Sequence, residues 1–145
     1  MKIEVRVEIL RPAESVWPVL IDVERWPEWT ASITKIERLD QAALGPGSTV
    51  RIHQPKLKTV VWHVTEFRQG RLFTWETQSA GVSTIARHTI QPSEHGCIVT
   101  HTIEQKGWLA WLLRPFLMGL TQRYVRMEAQ GLKKKCEASG VVAPS

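Results

Sequence analysis

The chain has 145 residues, enough for one domain with one sizeable core and too few for an array of repeats. A hydrophobic content of 43% excludes a wholly disordered chain, and two cysteines define no disulfide framework. Nineteen Lys and Arg against 14 Asp and Glu give a formal charge of +5, which favours solubility and anionic partners without amounting to a nucleic-acid-binding signature.

Ile3, Val5, Val7 and Ile9 alternate with Lys2, Glu4, Arg6 and Glu8, the period of a strand with one dry face. The same alternation denies the N-terminus the continuous apolar core of a signal peptide. No run reaches the roughly 18 apolar residues of a membrane span, so the default location is the cytoplasm, where two free thiols are at home. Pro12 to Asp22 reads as a short helix with Val16, Val19 and Leu20 on one stripe and Trp17 beside it. Pro18 fits there only in the first turn or at a bend. A second short helix or turn covers Asp22 to Trp29.

Six strands follow: Ile33 to Leu39, Thr49 to His53, Leu57 to Arg68, Arg71 to Gln78, Val82 to Gln91 and Cys97 to Gln105. Gly107 breaks the last of them. From Pro115 to about Glu137 the apolar period becomes helical, through Leu117, Leu120, Tyr124, Met127, Gly131 and Leu132. Ala138 to Ser145 reads as a loose tail. The fold class is α+β: one domain over residues 1–137, a curved antiparallel sheet wrapped around a long C-terminal helix that covers its dry face.

Register places the interior. A two-residue turn at Gln69-Gly70 sets Arg68 opposite Arg71, Val64 opposite Trp75, Glu66 opposite Phe73 and Trp62 opposite Thr77. The side carrying Trp62, Val64, Phe73 and Trp75 is the more apolar and faces inward, with Glu66 at its rim. In the last hairpin, pairing Pro92 with Cys97 sets Ile90 against Val99, His88 against His101 and Ala86 against Ile103, which places both imidazoles under the long helix.

Two imidazoles in an aromatic interior admit three roles: core histidines satisfied by each other, by threonines or by water; ligand contacts; or acid–base groups, since an unperturbed histidine titrates near pH 6.5. The seven tryptophans suit either a cavity wall or a packed core. Trp108 to Leu113 suits a buried helix, a pocket lid or a transient contact with a membrane surface. No phosphate loop is present. The histidines and the isolated Cys97 and Cys136 show no metal-ligand spacing, and His63 faces outward while His88 faces inward, so no metal and no cofactor is assigned. Lys133-Lys134-Lys135 near a helix C-terminus is a dipole-compatible, solvated basic face.

The segments Val7 to Trp17, Ile21 to Trp29, Trp62 to Phe67, His88 to Pro92 and Met127 to Lys134 together resemble the START-like, Bet v 1-like superfamily, and within it the bacterial polyketide cyclase/dehydrase-like (SRPBCC) proteins. The resemblance spans roughly residues 3–137. It implies the helix-grip fold, an internal apolar cavity and a role in binding or transporting a small hydrophobic or amphipathic molecule, a lipid or a polyketide-like compound. The candidate lining is Trp62, Val64, Phe73, Trp75, His88, His101, Leu120 and Tyr124. Two alternatives stand beside it: a polyketide cyclase/dehydratase with His88 or His101 as general acid/base, and a protein-interaction module using Trp108 and Trp111.

Overall fold

The computed structural model describes residues 1–140. Seven antiparallel strands form one sheet in the order β1-β7-β6-β5-β4-β3-β2. They are β1 (Lys2–Ile9), β2 (Lys35–Arg38), β3 (Thr49–His53), β4 (Val60–Arg68), β5 (Leu72–Ser79), β6 (Val82–Pro92) and β7 (Cys97–Lys106). Three α-helices accompany them: α1 (Ala13–Ile21), α2 (Trp108–Leu112) and α3 (Arg114–Gly140). This is the helix-grip α+β architecture expected from the sequence.

The alternating N-terminal octet forms β1 and closes the sheet beside β7, with Ile9 opposite Cys97 and Val5 opposite His101. Ile3, Val7 and Ile9 are buried while Lys2, Glu4, Arg6 and Glu8 face water. Pro12 caps α1 from extended backbone. Pro18 lies in the second turn, beyond the position where its missing N–H would be free of cost, and its ring faces solvent. Val23–Glu28 is a 3-10 helix that swings Trp26 onto the sheet.

The two hairpins differ in how closely they follow the expected register. In β6–β7 the observed partners are Pro92–Cys97, Ile90–Val99, His88–His101 and Ala86–Ile103, as expected. In β4–β5 the turn is one residue longer than expected: Arg68 pairs with Leu72, not Arg71, and Phe67 with Phe73. A bulge between Val64 and Glu66 then restores Val64–Trp75 and His63–Glu76. The correction moves Glu66 off the inward face. It pairs with Thr74 and meets Arg87 at 3.3 Å, and the half-buried Phe67 packs on Trp17 at 5.7 Å between ring centres.

The dry face is covered by three elements, not by the long helix alone. Trp17 and Trp26, both buried, sit over Phe73 and Trp75, with Trp26 5.5 Å from Trp75. The Trp26 indole N–H donates to the Leu20 carbonyl at 3.0 Å, so this large ring is buried with its polar atom satisfied. Helix α3 lies against β1, β7 and α1. Gly131 permits the contact: a Cβ there would stand 1.9 Å from the Trp29 carbonyl oxygen. The helix also runs further than expected, since Ala138 to Gly140 continue it; the rest of the expected tail, 141–145, lies outside the described residues.

Candidate functional site

Strand alternation and the β6–β7 register bring His88 and His101 side by side on the covered face, with ring centres 5.3 Å apart. Both are almost wholly buried. Phe73, the cross-strand neighbour of His88 on β5, stacks on its imidazole at 4.4 Å with 19° between the planes. Trp26 and Trp75 approach the same ring edge-on at 5.5 and 5.6 Å.

Glu128 on α3 completes the cluster. Its Oε1 lies 3.5 Å from His88 Nε2 and 3.5 Å from His101 Nδ1. Burial opposes ionisation of this carboxyl, but the polar and charge interactions with His101 and His88 outweigh it and hold the group down at about 2. For His88, burial lowers the imidazole below its ordinary value, and the opposing pull of Glu128 does not restore it. At neutral pH the cluster therefore contains a carboxylate facing a neutral His88 imidazole. The Nδ1 of His88 and both ring nitrogens of His101 lack a well-aligned hydrogen-bond partner within the protein, as do the buried indole nitrogens of Trp17 and Trp62. An unpaired buried polar group costs about 1–3 kcal/mol, so this is a concentrated polar demand in an apolar setting.

Glu128 is the residue that sequence reasoning missed. The buried side of α3 carries Leu117, Leu120, Tyr124, Val125, Glu128 and Ala129 and then continues to Leu132 and Cys136. The expected stripe instead ran through Met127 and Gly131, which are half-buried. The available signal was spacing: Glu128 follows Tyr124 by four residues and precedes Leu132 by four.

The other expected lining residues divide in two. Trp62, Val64, Phe73 and Trp75 are buried and belong to one contiguous core with Trp26. Leu120 and Tyr124, together with Leu117, are buried without joining that core. The Tyr124 hydroxyl donates to the Pro55 carbonyl in the β3–β4 connection, so it laces α3 to that loop. Cys97 and Cys136 are buried thiols, each pushed up to about 11 by burial and thus unreactive at neutral pH.

Outside the interior, α2 and the start of α3 expose Trp108 (69%), Trp111 (75%) and Phe116 (57%), with Leu112 and Leu113 between them. The buried-helix reading of this segment therefore fails: only Ala110 is fully buried, with Leu109 half-buried against Gly81. A cleft of about 320 Å³ beside Trp111 is flanked by Lys106 and Arg114. Two larger clefts lie along the outer face of the β4–β5 hairpin, about 580 Å³, and along the Arg123–Arg126 side of α3, about 410 Å³; none of the three is lined by His88 or His101.

The sequence model of one family, described as polyketide cyclase/dehydrase and lipid transport, matches residues 1–137. The chain belongs to that family. No curated protein matches the sequence. Among solved structures, a protein from Thermus thermophilus superposes with a TM-score of 0.78 at 18% identity, over 96% of this chain and 99% of that one. A START superfamily protein from Mycobacterium smegmatis gives 0.77 at 16%, over 94% and 97%. The Zhui aromatase/cyclase from Streptomyces sp. R1128 gives 0.74 at 17%, over 94% and 93%. At these identities the likeness establishes the fold. No described helix is long and apolar enough to cross a membrane.

The buried cluster gives a signed pH dependence. His88 is lowered in the fold, so its contribution is complete above its unfolded value near 6.5 and is lost as acid forces it to charge. Glu128 is lowered from 4.5 to about 2, so its contribution is complete above 4.5 and is lost as the pH falls towards 2. The urea midpoint should decline from pH 7 to pH 3, and His88→Gln should flatten the part between about 6.5 and 4.5. An unchanged slope in that variant would contradict the assignment.

Proposed function

We propose that the protein binds a small hydrophobic or amphipathic ligand in the seam between the first half of α3 and the sheet, as a carrier or sensor. The supporting observation is that Leu117, Leu120 and Tyr124 are buried but stand outside the contiguous core that gathers Trp26, Trp62 and Trp75. A helix that packs tightly at its C-terminal half and loosely at its N-terminal half opens at one end. The apolar body of a ligand would lie under Leu117 and Leu120, and an acceptor oxygen would meet the unpartnered Trp62 indole N–H. Apolar burial supplies the affinity at roughly 25 cal/mol per Å², and the polar contact fixes orientation. A catalytic role for the histidines takes second place, because Phe73 and Trp26 already occupy the space around His88.

The exposed α2 patch favours loading at an anionic membrane surface. Two indoles, Leu112, Leu113 and Phe116 form an apolar face, the flanking charges in 106–118 are all basic, and aromatic side chains favour the bilayer interface. The patch sits at the start of α3, the end where the seam opens.

Organic extraction of natively purified protein, read by mass spectrometry, should yield a lipid-like or polyketide-like compound near one per chain. Leu120→Trp should fill the seam and abolish its retention while the protein stays folded. A variant that instead unfolds, with nothing extracted from the parent protein, would show that α3 already packs solidly there. Cosedimentation with vesicles should be stronger for anionic than for zwitterionic lipid and should drop about tenfold or more in Trp108→Ala/Trp111→Ala. Equal binding to both lipids, or no loss in the double variant, would remove the membrane from the account.

A further inference from the structure

Glu128 Oε1 stands at the same 3.5 Å distance from an imidazole nitrogen of each histidine. One donor atom from each of His88, His101 and Glu128 can be chosen so that all three lie within 4.8 Å of one another. Metal–nitrogen and metal–oxygen bonds of about 2.0–2.2 Å in a tetrahedral site space the donors roughly 3.3–3.5 Å apart. The two Glu128 separations already match, and the third pair of donor atoms lies within 4.8 Å.

We infer that His88, His101 and Glu128 form a binding site for one divalent transition-metal ion of the zinc and ferrous class. Two imidazoles and one carboxylate suit those ions, and hard oxygen-seeking ions such as magnesium and calcium are poorly served by them. The unpartnered nitrogens of His101 point to the same conclusion, because coordination through Nδ1 relieves one of them. Three protein ligands leave a fourth coordination position, which a water oxygen can take. Glu128 keeps 12% of its side chain exposed where the histidines keep 1–3%, so the route for an ion runs past the carboxylate. Among the described residues no other group of three such side chains assembles in this way. The site follows from the register of β6–β7 and the phase of α3, and it stands whether or not the seam holds a lipid-like ligand.

Metal-depleted full-length protein titrated with zinc, and in parallel with cobalt(II) as a spectroscopic substitute, tests the inference. One saturable equivalent should bind, cobalt should develop the visible absorption of a low-coordinate nitrogen–oxygen site, and zinc should raise the thermal midpoint. Glu128→Gln and His101→Ala should each weaken binding by at least about 100-fold, the upper end of what loss of an outer-shell partner costs. His53→Ala and His95→Ala, at the end of β3 beside Glu37 and in an exposed turn, should change nothing. If the parent protein takes up no equivalent, or if binding survives Glu128→Gln and disappears in His53→Ala, the inference is wrong. Cobalt absorption and histidine resonances of the unmutated protein decide the matter even where a variant fails to fold.

Discussion

A carboxylate buried on the covering helix, held against two imidazoles from neighbouring strands, is the constraint on which the interior depends. Removing a charge from water costs several kcal/mol unless partners replace the hydration. Glu128 therefore specifies where α3 sits: only with its Oε1 between His88 and His101 is that cost offset. The same helix needs Gly131 to meet the Trp29 carbonyl one turn further on. Charge and close approach thus act on successive turns, and together they fix both the rotation of α3 and its distance from the sheet.

The rest of the interior divides along that helix. Towards the C-terminal side, Leu132 and Cys136 join α1 and β1 in a continuous core. Around His88 the space is taken by Trp26 and Phe73. Towards the start of α3 the buried residues leave the core, Tyr124 ties the helix to the loop at Pro55, and the α2 aromatics turn outward. At one end of α3 the buried residues belong to the contiguous core, and at the other they stand apart from it. This gradient supports a ligand-binding role within a family that includes lipid transport, and it places the polar cluster at the junction between the two ends.

Much of this arrangement was legible in the chain. The alternation in β1, the glycine-marked turns and the period change at Pro115 were enough for the helix-grip fold, and the β6–β7 register was correct to the residue because the apolar alternation on both strands allows no slip. The β4–β5 register was right only in its far half. A turn one residue longer and a compensating bulge are backbone events with no strong mark in composition, and they move Glu66 and Phe67 across the sheet. Glu128 escaped because a helical stripe drawn through Met127 and Gly131 also satisfies three- and four-residue steps. The phase of a helix on a sheet is decided by what its residues meet, and neither His88 nor Trp29 is near α3 in the sequence. The cluster of His88, His101 and Glu128 leaves no spacing signal for the same reason: its side chains converge from three elements.

Imidazole ¹⁵N spectra of the metal-free protein at pH 7 address the central contact directly. The account predicts a neutral His88 with its proton on Nε2, directed at Glu128, and a redistribution of its tautomers in Glu128→Gln. Identical histidine spectra in the two proteins, or a doubly protonated His88 at that pH, would contradict it.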